Sequence, residues 1–368
     1  MRGPQVRPVV VAAGGTAGHF FPAEALAAEL IRRGERVVLM TDARSAGMAS
    51  PVFANCEKFV LSGAGIAGRG WVRAIKAAAS LAAGTVQARR IMARLNPKAL
   101  VAFGGYPSVA PVLAACLLKP RPVAVLHEQN AVLGRANRFL ARFADIVALS
   151  VATTHAVPDK IVTEMIGNPV RPAIVALAGG GYRQPEDRIR LLVLGGSLGA
   201  RVFSDVVPQA LMLLPASLRD RLLVTQQCRA EDIARVRAAY AVRQISATLS
   251  SFFANVDELL RDAHLVIARA GASTVAELAV AGRPSILVPL PNAIDDHQTA
   301  NARALQTVKA AFVLPQPACD GENLAHRLRF LLESPDELAR AAAAIARPNA
   351  ASDLADLVQR HAHQETRL

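Results

Sequence analysis

Aromatic residues are scarce in this 368-residue chain: 12 Phe, 3 Tyr and 1 Trp amount to 4% of it. That is too few for the repeated stacking platforms that hold single-stranded nucleic acid, so nucleic acid is not an expected partner. Cysteine is scarcer still. Cys56, Cys116, Cys228 and Cys319 stand far apart, with no C-x-x-C pair and no neighbouring histidine at ligand spacing. Neither a zinc site nor a disulfide framework is expected, and a reducing cytosol fits best. There is no D-x-D pair to chelate a metal diphosphate, so metal-independent chemistry without a cofactor is preferred. An export signal is also missing: Met1 to Val11 carries Arg2 and Arg7 but runs into a strand and a glycine turn. The nearest thing to a membrane span, Ala99 to Leu118, is uncharged but broken by Gly104, Gly105, Pro107 and Pro111. It reads as strand, turn and helix.

Apolar residues make up 52% of the chain and charged residues 19%, which predicts a globular protein, and the length argues for two domains. Lys and Arg exceed Asp and Glu by 42 to 29, a net charge of +13 that favours anionic partners: phosphorylated ligands or an acidic membrane face ahead of nucleic acid.

The pattern along the chain is α/β. Val6 to Ala13 is a β-branched run typical of a strand buried on both faces; Gly14 to His19 is a glycine turn; an Ala- and Leu-rich helix follows from about Pro22 to Arg33, then a strand from Arg36 to Met40. Ala99 to Phe103 and Val123 to Leu126 repeat the theme, each turning through polar or glycine-rich residues. A second series begins after Gly167 to Pro172 and the run Gly179 to Gly181, a hinge-like stretch. It comprises Arg190 to Leu194, His264 to Ala268 and Ser285 to Pro289, with helices expected over Asp336 to Arg347 and Leu354 to His363, the last too weakly apolar to stand alone. Each half therefore predicts a doubly wound parallel sheet, with ligands outside the carboxyl ends of its strands.

Two turns, Gly14 to Gly18 and Gly195 to Gly199, join a strand to a helix, where free N–H groups and the helix dipole attract phosphate; tight packing alone explains either turn equally well. The first reads G-G-x-x-G, and Asp42 stands just beyond the second strand, so a dinucleotide fingerprint is not favoured. His19 could be a base, a phosphate contact or a cap-region side chain. His127 and Glu128 pair an imidazole with a carboxylate but lack a nucleophile elbow, and buried hydrogen bonding is the safer reading. Glu277, three residues after Thr274, matches a capping pair as readily as a carboxylate for ribose hydroxyls. Asp295, Asp296, His297, Gln298 and Asn301 form a polar cluster after an apolar strand, suited to a ligand or to solvent.

Taken in order, Gly14-Gly15-Thr16-Ala17-Gly18-His19, Gly104-Gly105-Tyr106-Pro107-Ser108, His127-Glu128-Gln129-Asn130, Gly167-Asn168-Pro169-Val170-Arg171, Gly195 to Ala200, Arg269 to Thr274 with Glu277, and Asp296-His297-Gln298 with Asn301 resemble the MurG family of N-acetylglucosaminyltransferases. The resemblance implies the GT-B architecture: two Rossmann-like doubly wound domains separated by a cleft. Residues 1–168, with a C-terminal helix at about 348–368, would form the acceptor and membrane-facing domain, and 169–347 the donor domain. It further implies inverting transfer of GlcNAc from UDP-GlcNAc to the muramoyl 4-hydroxyl of lipid I, giving lipid II and UDP. His19, with Tyr106 and His127 near it, would be the catalytic group. Thr16, Ala17 and Gly18, with His19, would line the acceptor-diphosphate side and also belong to the residues binding the UDP-GlcNAc donor. Arg171 and Ser197 would meet the donor diphosphate, Glu277 the ribose, and Phe253 the uracil. Ala272, Ser273 and Thr274 would meet the sugar-phosphate region, and Asn130 and Gln298 the GlcNAc hydroxyls. Three positions depart from the family: Ala17 stands where glycine is usual, which would distort the turn if that position needs positive φ, and Ala270 and Ser273 replace a serine and a larger apolar residue.

The same resemblance turns Gly68 to Arg94, with Trp71, Val72, Ile75 and Leu81 beside Arg69, Arg73, Lys76, Arg89, Arg90 and Arg94, from an ordinary surface helix into a segment resting on the anionic cytoplasmic leaflet. Other cell-wall and division enzymes are implied partners. The competing readings are transfer to another lipid, as in diacylglycerol glycosyltransferases, and a nucleotide-binding regulatory or dehydrogenase module.

Overall fold

The computed structural model describes residues 6–62, 71–196, 199–333 and 335–364. The chain divides into two compact units, residues 1–171 with 349–368, and residues 172–348.

The first unit holds a seven-stranded sheet of β1 (Val9–Ala12), β2 (Val37–Thr41), β3 (Glu57–Val60), β4 (Ala99–Ala102), β5 (Val123–Glu128), β6 (Ile146–Leu149) and β7 (Thr163–Met165), all parallel, in the order β3-β2-β1-β4-β5-β6-β7. Its helices are α1 (Ala17–Arg32), α2 (Trp71–Leu95), α3 (Val109–Cys116), α4 (Arg135–Leu140) and, from the chain's end, α14 (Ala350–Gln364). The unbroken apolar runs follow from burial on both faces. Val9 and Val11 pack with Leu26 of α1 and Leu354 of α14, while the alternate residues Val10 and Ala12 pack with Met92 of α2 and Val112 of α3.

The second unit holds β8 (Ile189–Leu194), β9 (Leu222–Gln227), β10 (Ser246–Ser250), β11 (Leu265–Ala268), β12 (Ser285–Leu287) and β13 (Phe312–Val313), parallel in the order β10-β9-β8-β11-β12-β13. Around it lie α5 (Pro172–Val175), α6 (Arg201–Met212), α7 (Ala216–Arg219), α8 (Ile233–Ala241), α9 (Val256–Asp262), α10 (Ala272–Ala281), α11 (His297–Thr307), α12 (Gly321–Glu333) and α13 (Asp336–Ala344). One core joins Ile189, Leu191 and Val193 to Phe203 of α6, Val236 of α8 and Leu328 of α12.

The expected doubly wound pair of sheets is therefore present. Helix α1 begins at Ala17, five residues before its expected start, so Pro22 lies inside it and offers no N–H to the carbonyl of Gly18. Ala17 is the first helical residue, and the left-handed position of that turn falls on Gly15 (φ 80°), so the anticipated distortion at Ala17 does not arise. Strand β5 runs two residues beyond Leu126, which puts His127 and Glu128 on the strand.

Candidate functional site

In the first unit the polar residues gather where β1, β4, β5 and β7 end. His19 sits in the first turn of α1, with Thr16 as the N-cap residue. Its Nδ1 is 3.0 Å from Oε1 of Gln129, the residue that follows Glu128 at the end of β5. Gly105 lies against the same ring: a Cβ there would approach His19 Cδ2 to 3.1 Å, at a φ of 68° that a side chain rarely adopts. Tyr106, half-buried, comes next in the chain and opens a short 3-10 turn whose Ser108 hydroxyl donates to the carbonyl of Gly104 at 2.7 Å.

Alternation along β5 separates two roles. His127 is fully buried; its Nε2 lies 2.9 Å from the carbonyl of Gly167 and its Nδ1 3.0 Å from Nε2 of Gln129. Burial pushes its pKa down to about 4, opposed by the Gly167 bond and helped by nearby His19. Glu128 points the other way, and its carboxylate accepts from the Asn130 amide N–H and side chain, both at 3.0 Å, from Gly134 N–H at 2.8 Å and from Asn137 Nδ2 at 2.9 Å. The polar pair is thus built into the frame: Glu128 orients Asn130 and the loop to α4, and His127 meets Gln129. Arg171, at the end of this unit, stacks its guanidinium 5.4 Å from the ring centre of Phe21.

In the second unit the loops at the carboxyl end of the sheet are tied to one another. Gln227, the last residue of β9, accepts from Gly195 N–H at 3.1 Å and donates to Ser251 O at 3.2 Å, joining the glycine turn to the segment that carries half-buried Phe253. Arg269, after β11, donates to the carbonyls of Val288 and Pro289, both at 3.1 Å, and to Gln316 Oε1 at 2.6 Å, with its guanidinium 5.2 Å from the Phe203 ring centre. Asn301 donates to Ala270 O at 3.0 Å, so a backbone contact at Ala270 survives the loss of a serine side chain. Gln298 accepts from Leu290 N–H at 2.9 Å, and left-handed Asp295 and Asp296 (φ 54° and 49°) turn the chain into α11 so that this bond forms. Ala272, Ser273 and Thr274 form the first turn of α10 behind Gly271, with Glu277 one turn on, half-buried. Their N–H groups supply the positive end of a helix suited to an anion.

The residues expected to act thus fall into two groups. Thr16, Gly18, His19, Tyr106, His127, Asn130 and Arg171 belong to the first unit, and Phe253, Ala272, Ser273, Thr274, Glu277 and Gln298 to the second. Ser197 lies outside the described residues, as does the side chain of Ala17. Gln129, which the His127-to-Asn130 motif contains without a role, and Gln227, which lies in no motif, each join elements far apart in sequence.

Domain models of glycosyltransferase family 28 match the N-terminal part over residues 9–149 and the C-terminal part over residues 190–360. A protein of Granulibacter bethesdensis, named UDP-N-acetylglucosamine--N-acetylmuramyl-(pentapeptide) pyrophosphoryl-undecaprenol N-acetylglucosamine transferase, is 59% identical over 358 residues, covering 96% of this chain and 93% of that one. A protein of the same name from Acidiphilium cryptum is 53% identical over 97% of this chain and 98% of its own. The crystal structure of Acinetobacter baumannii MurG matches with a TM-score of 0.76 at 30% identity, over 96% of this chain and 99% of that one. With both domain models, near full-length relatives and this fold in agreement, the chain belongs to the MurG family of glycosyltransferases.

Proposed function

We propose that the protein transfers GlcNAc from UDP-GlcNAc to the 4-hydroxyl of the MurNAc of lipid I, with inversion, forming lipid II and UDP in peptidoglycan synthesis. The observation that carries the reading is the 59% identity to a named transferase of this kind over 96% of the chain.

In the reaction the acceptor hydroxyl attacks the anomeric carbon as the bond from that carbon to the UDP oxygen breaks, and the electron pair leaves with UDP. The hydroxyl proton passes to His19, beside Tyr106; His127 serves behind them from its buried position. Arg171, Ser197 and the first turn of α10 (Ala272, Ser273, Thr274) balance the donor diphosphate, while Glu277 takes the ribose hydroxyls and the backbone at Phe253 the uracil. Asn130, oriented by Glu128, and Gln298, oriented by Leu290 N–H, hold the GlcNAc hydroxyls. Thr16, Ala17 and Gly18 line the diphosphate side of the turn. Charge is thus met by guanidinium and N–H groups, and the reaction proceeds without a metal. The first unit, residues 1–171 with 349–368, serves the acceptor, and the second, residues 172–348, the donor.

The protein binds the anionic cytoplasmic face of the plasma membrane peripherally, where other cell-wall enzymes meet it. No helix among the described residues is long and apolar enough to cross a membrane. Helix α2 supports surface binding: Ile75 is 59% exposed, next to exposed Lys76, with exposed Arg89, Arg90 and Arg94 further along, while Ala77, Ala88 and Met92 face the core. Gly68 and Arg69 lie outside the described residues, as do the side chains of Trp71, Val72 and Arg73.

The test is transfer of labelled GlcNAc from UDP-GlcNAc to a lipid I analogue in EDTA, with diacylglycerol as the control acceptor. Transfer to the lipid I analogue alone is expected. Transfer to diacylglycerol instead would assign a different acceptor, and a reaction abolished by EDTA would remove metal independence.

A further inference from the structure

The side chain of Gln129 can be oriented from its neighbours alone. Its Nε2 lies 3.0 Å from the carbonyl oxygen of Phe103, 3.2 Å from that of His127 and 3.0 Å from Nδ1 of the His127 ring. Carbonyl oxygens only accept hydrogen bonds, so the NH2 end of the amide must face them. The amide oxygen is thereby turned to His19, 3.0 Å from its Nδ1. An amide oxygen also only accepts, so Nδ1 of His19 carries the hydrogen, and the neutral ring keeps its lone pair on Nε2.

The chain of constraints continues behind Gln129. Nδ1 of His127 accepts from the amide, so its hydrogen is on Nε2, which donates to the carbonyl of Gly167 at 2.9 Å. His127 is fully buried, and burial keeps its ring neutral down to about pH 4, so at neutral pH it does not present a second N–H that would oppose the Gln129 amide. Gln129 is itself 3% exposed, which leaves its amide no water to turn toward.

We propose that Gln129 is a positioning residue for transfer: locked by Phe103 and His127, its amide oxygen holds His19 in the Nδ1–H tautomer and so presents Nε2 to the acceptor hydroxyl. The inference rests on the reading of His19 as the group that takes the proton. In that step the hydroxyl O–H bond breaks, the proton binds Nε2, and the resulting imidazolium strengthens its Nδ1–H bond to the Gln129 oxygen. The proton later passes to water. His127 acts through Gln129 and never touches substrate, which makes it a positioning residue too.

The test reads the tautomer directly. In protein labelled with 15N-histidine, with the His19 signals assigned through His19→Gln, neutral His19 should show a protonated Nδ1 and an unprotonated Nε2. Gln129→Met, which keeps the length and apolar bulk but offers neither donor nor acceptor, should move His19 toward the Nε2–H form. It should also lower kcat by about 10²- to 10⁴-fold, the range that a correctly protonated general base supplies, with the KM for UDP-GlcNAc unchanged. Nε2–H as the neutral form in the unaltered protein would overturn the proposal, and that measurement needs no variant. So would an unchanged tautomer in Gln129→Met. A changed tautomer with an unchanged kcat would instead remove His19 from proton transfer, overturning the reading beneath the proposal while the tautomer assignment stands.

Discussion

His127 has a folded pKa of about 4 against an ordinary 6.5, because burial excludes the imidazolium. As pH falls through 6.5 the unfolded chain takes up a proton that the folded chain refuses until about pH 4. This group's contribution is therefore fully present above pH 6.5 and lost between 6.5 and 4, a fall of about 3 kcal/mol at most. In His127→Leu the slope of unfolding free energy against pH across that window should shrink by about one proton; urea titrations at several pH values measure it, and an unchanged slope would mean the ring already charges in the folded state. Glu277→Ala should raise the KM for UDP-GlcNAc about tenfold, as expected for loss of a carboxylate bonded to ligand hydroxyls, with little change in kcat. A normal donor KM would remove Glu277 from the ribose contact. His19, Glu277 and Gln298 could be singled out as candidates because they stand in motifs of fixed spacing. Gln129 stands in such a motif too, but its pairing with His19 was not legible, since the two are 110 positions apart and no spacing rule spans that distance. A weaker signal was there: on a strand, His127 and Gln129 share a face and Glu128 takes the other.

At the scale of elements, strand and helix alternation was readable where strands are apolar runs buried on both faces, as in β1, β4 and β11, and was not where β3, β7 and β10 are polar and more exposed. The starts of α1 and α14 were misplaced, although α13 begins at the expected Asp336. Pro22 suggested a beginning but lies inside α1, and α14 starts at Ala350, before the weak pattern expected from Leu354. Helix α2 shows a requirement that no periodicity reveals. Its inner stripe includes Ala77, Gly84, Ala88 and Met92, and a Cβ on Gly84 would lie 2.2 Å from the carbonyl oxygen of Ser62. Alanine would raise helix propensity by up to about 1 kcal/mol, but the obstacle is backbone rather than a side-chain tip, and overpacking of that kind costs about 1–3 kcal/mol. Gly84→Ala should therefore lower Tm, and a raised Tm would show that the segment at Ser62 yields.

At the scale of the whole molecule, the first unit is built from both ends of the chain, since residues 349–368 pack with 1–171. The weakly apolar sequence of α14 gave little hint of how thoroughly Leu354, Leu357 and Val358 are buried, each fully, in the core shared with β1 and α1. Propensity did not decide this helix; its apolar stripe did, once a sheet was there to receive it. Arg33 reinforces the join at the end of α1: it donates to Asp356 at 2.5 Å, to Gln359 at 2.9 Å and to Ser352 Oγ at 2.8 Å, and pairs with Glu29 at 2.7 Å. Leu357→Ala should cost the first unit about 2–5 kcal/mol through lost burial and the cavity left behind. The second unit has its own core around Phe203 and Leu328, and Leu357 has no part in it. Native-state amide exchange should consequently accelerate in β1, β4 and β5 while β8 and β11 keep their protection. Equal loss of protection in both sets of strands would mean that the units open together, with the C-terminal helix stabilising the molecule as one cooperative body.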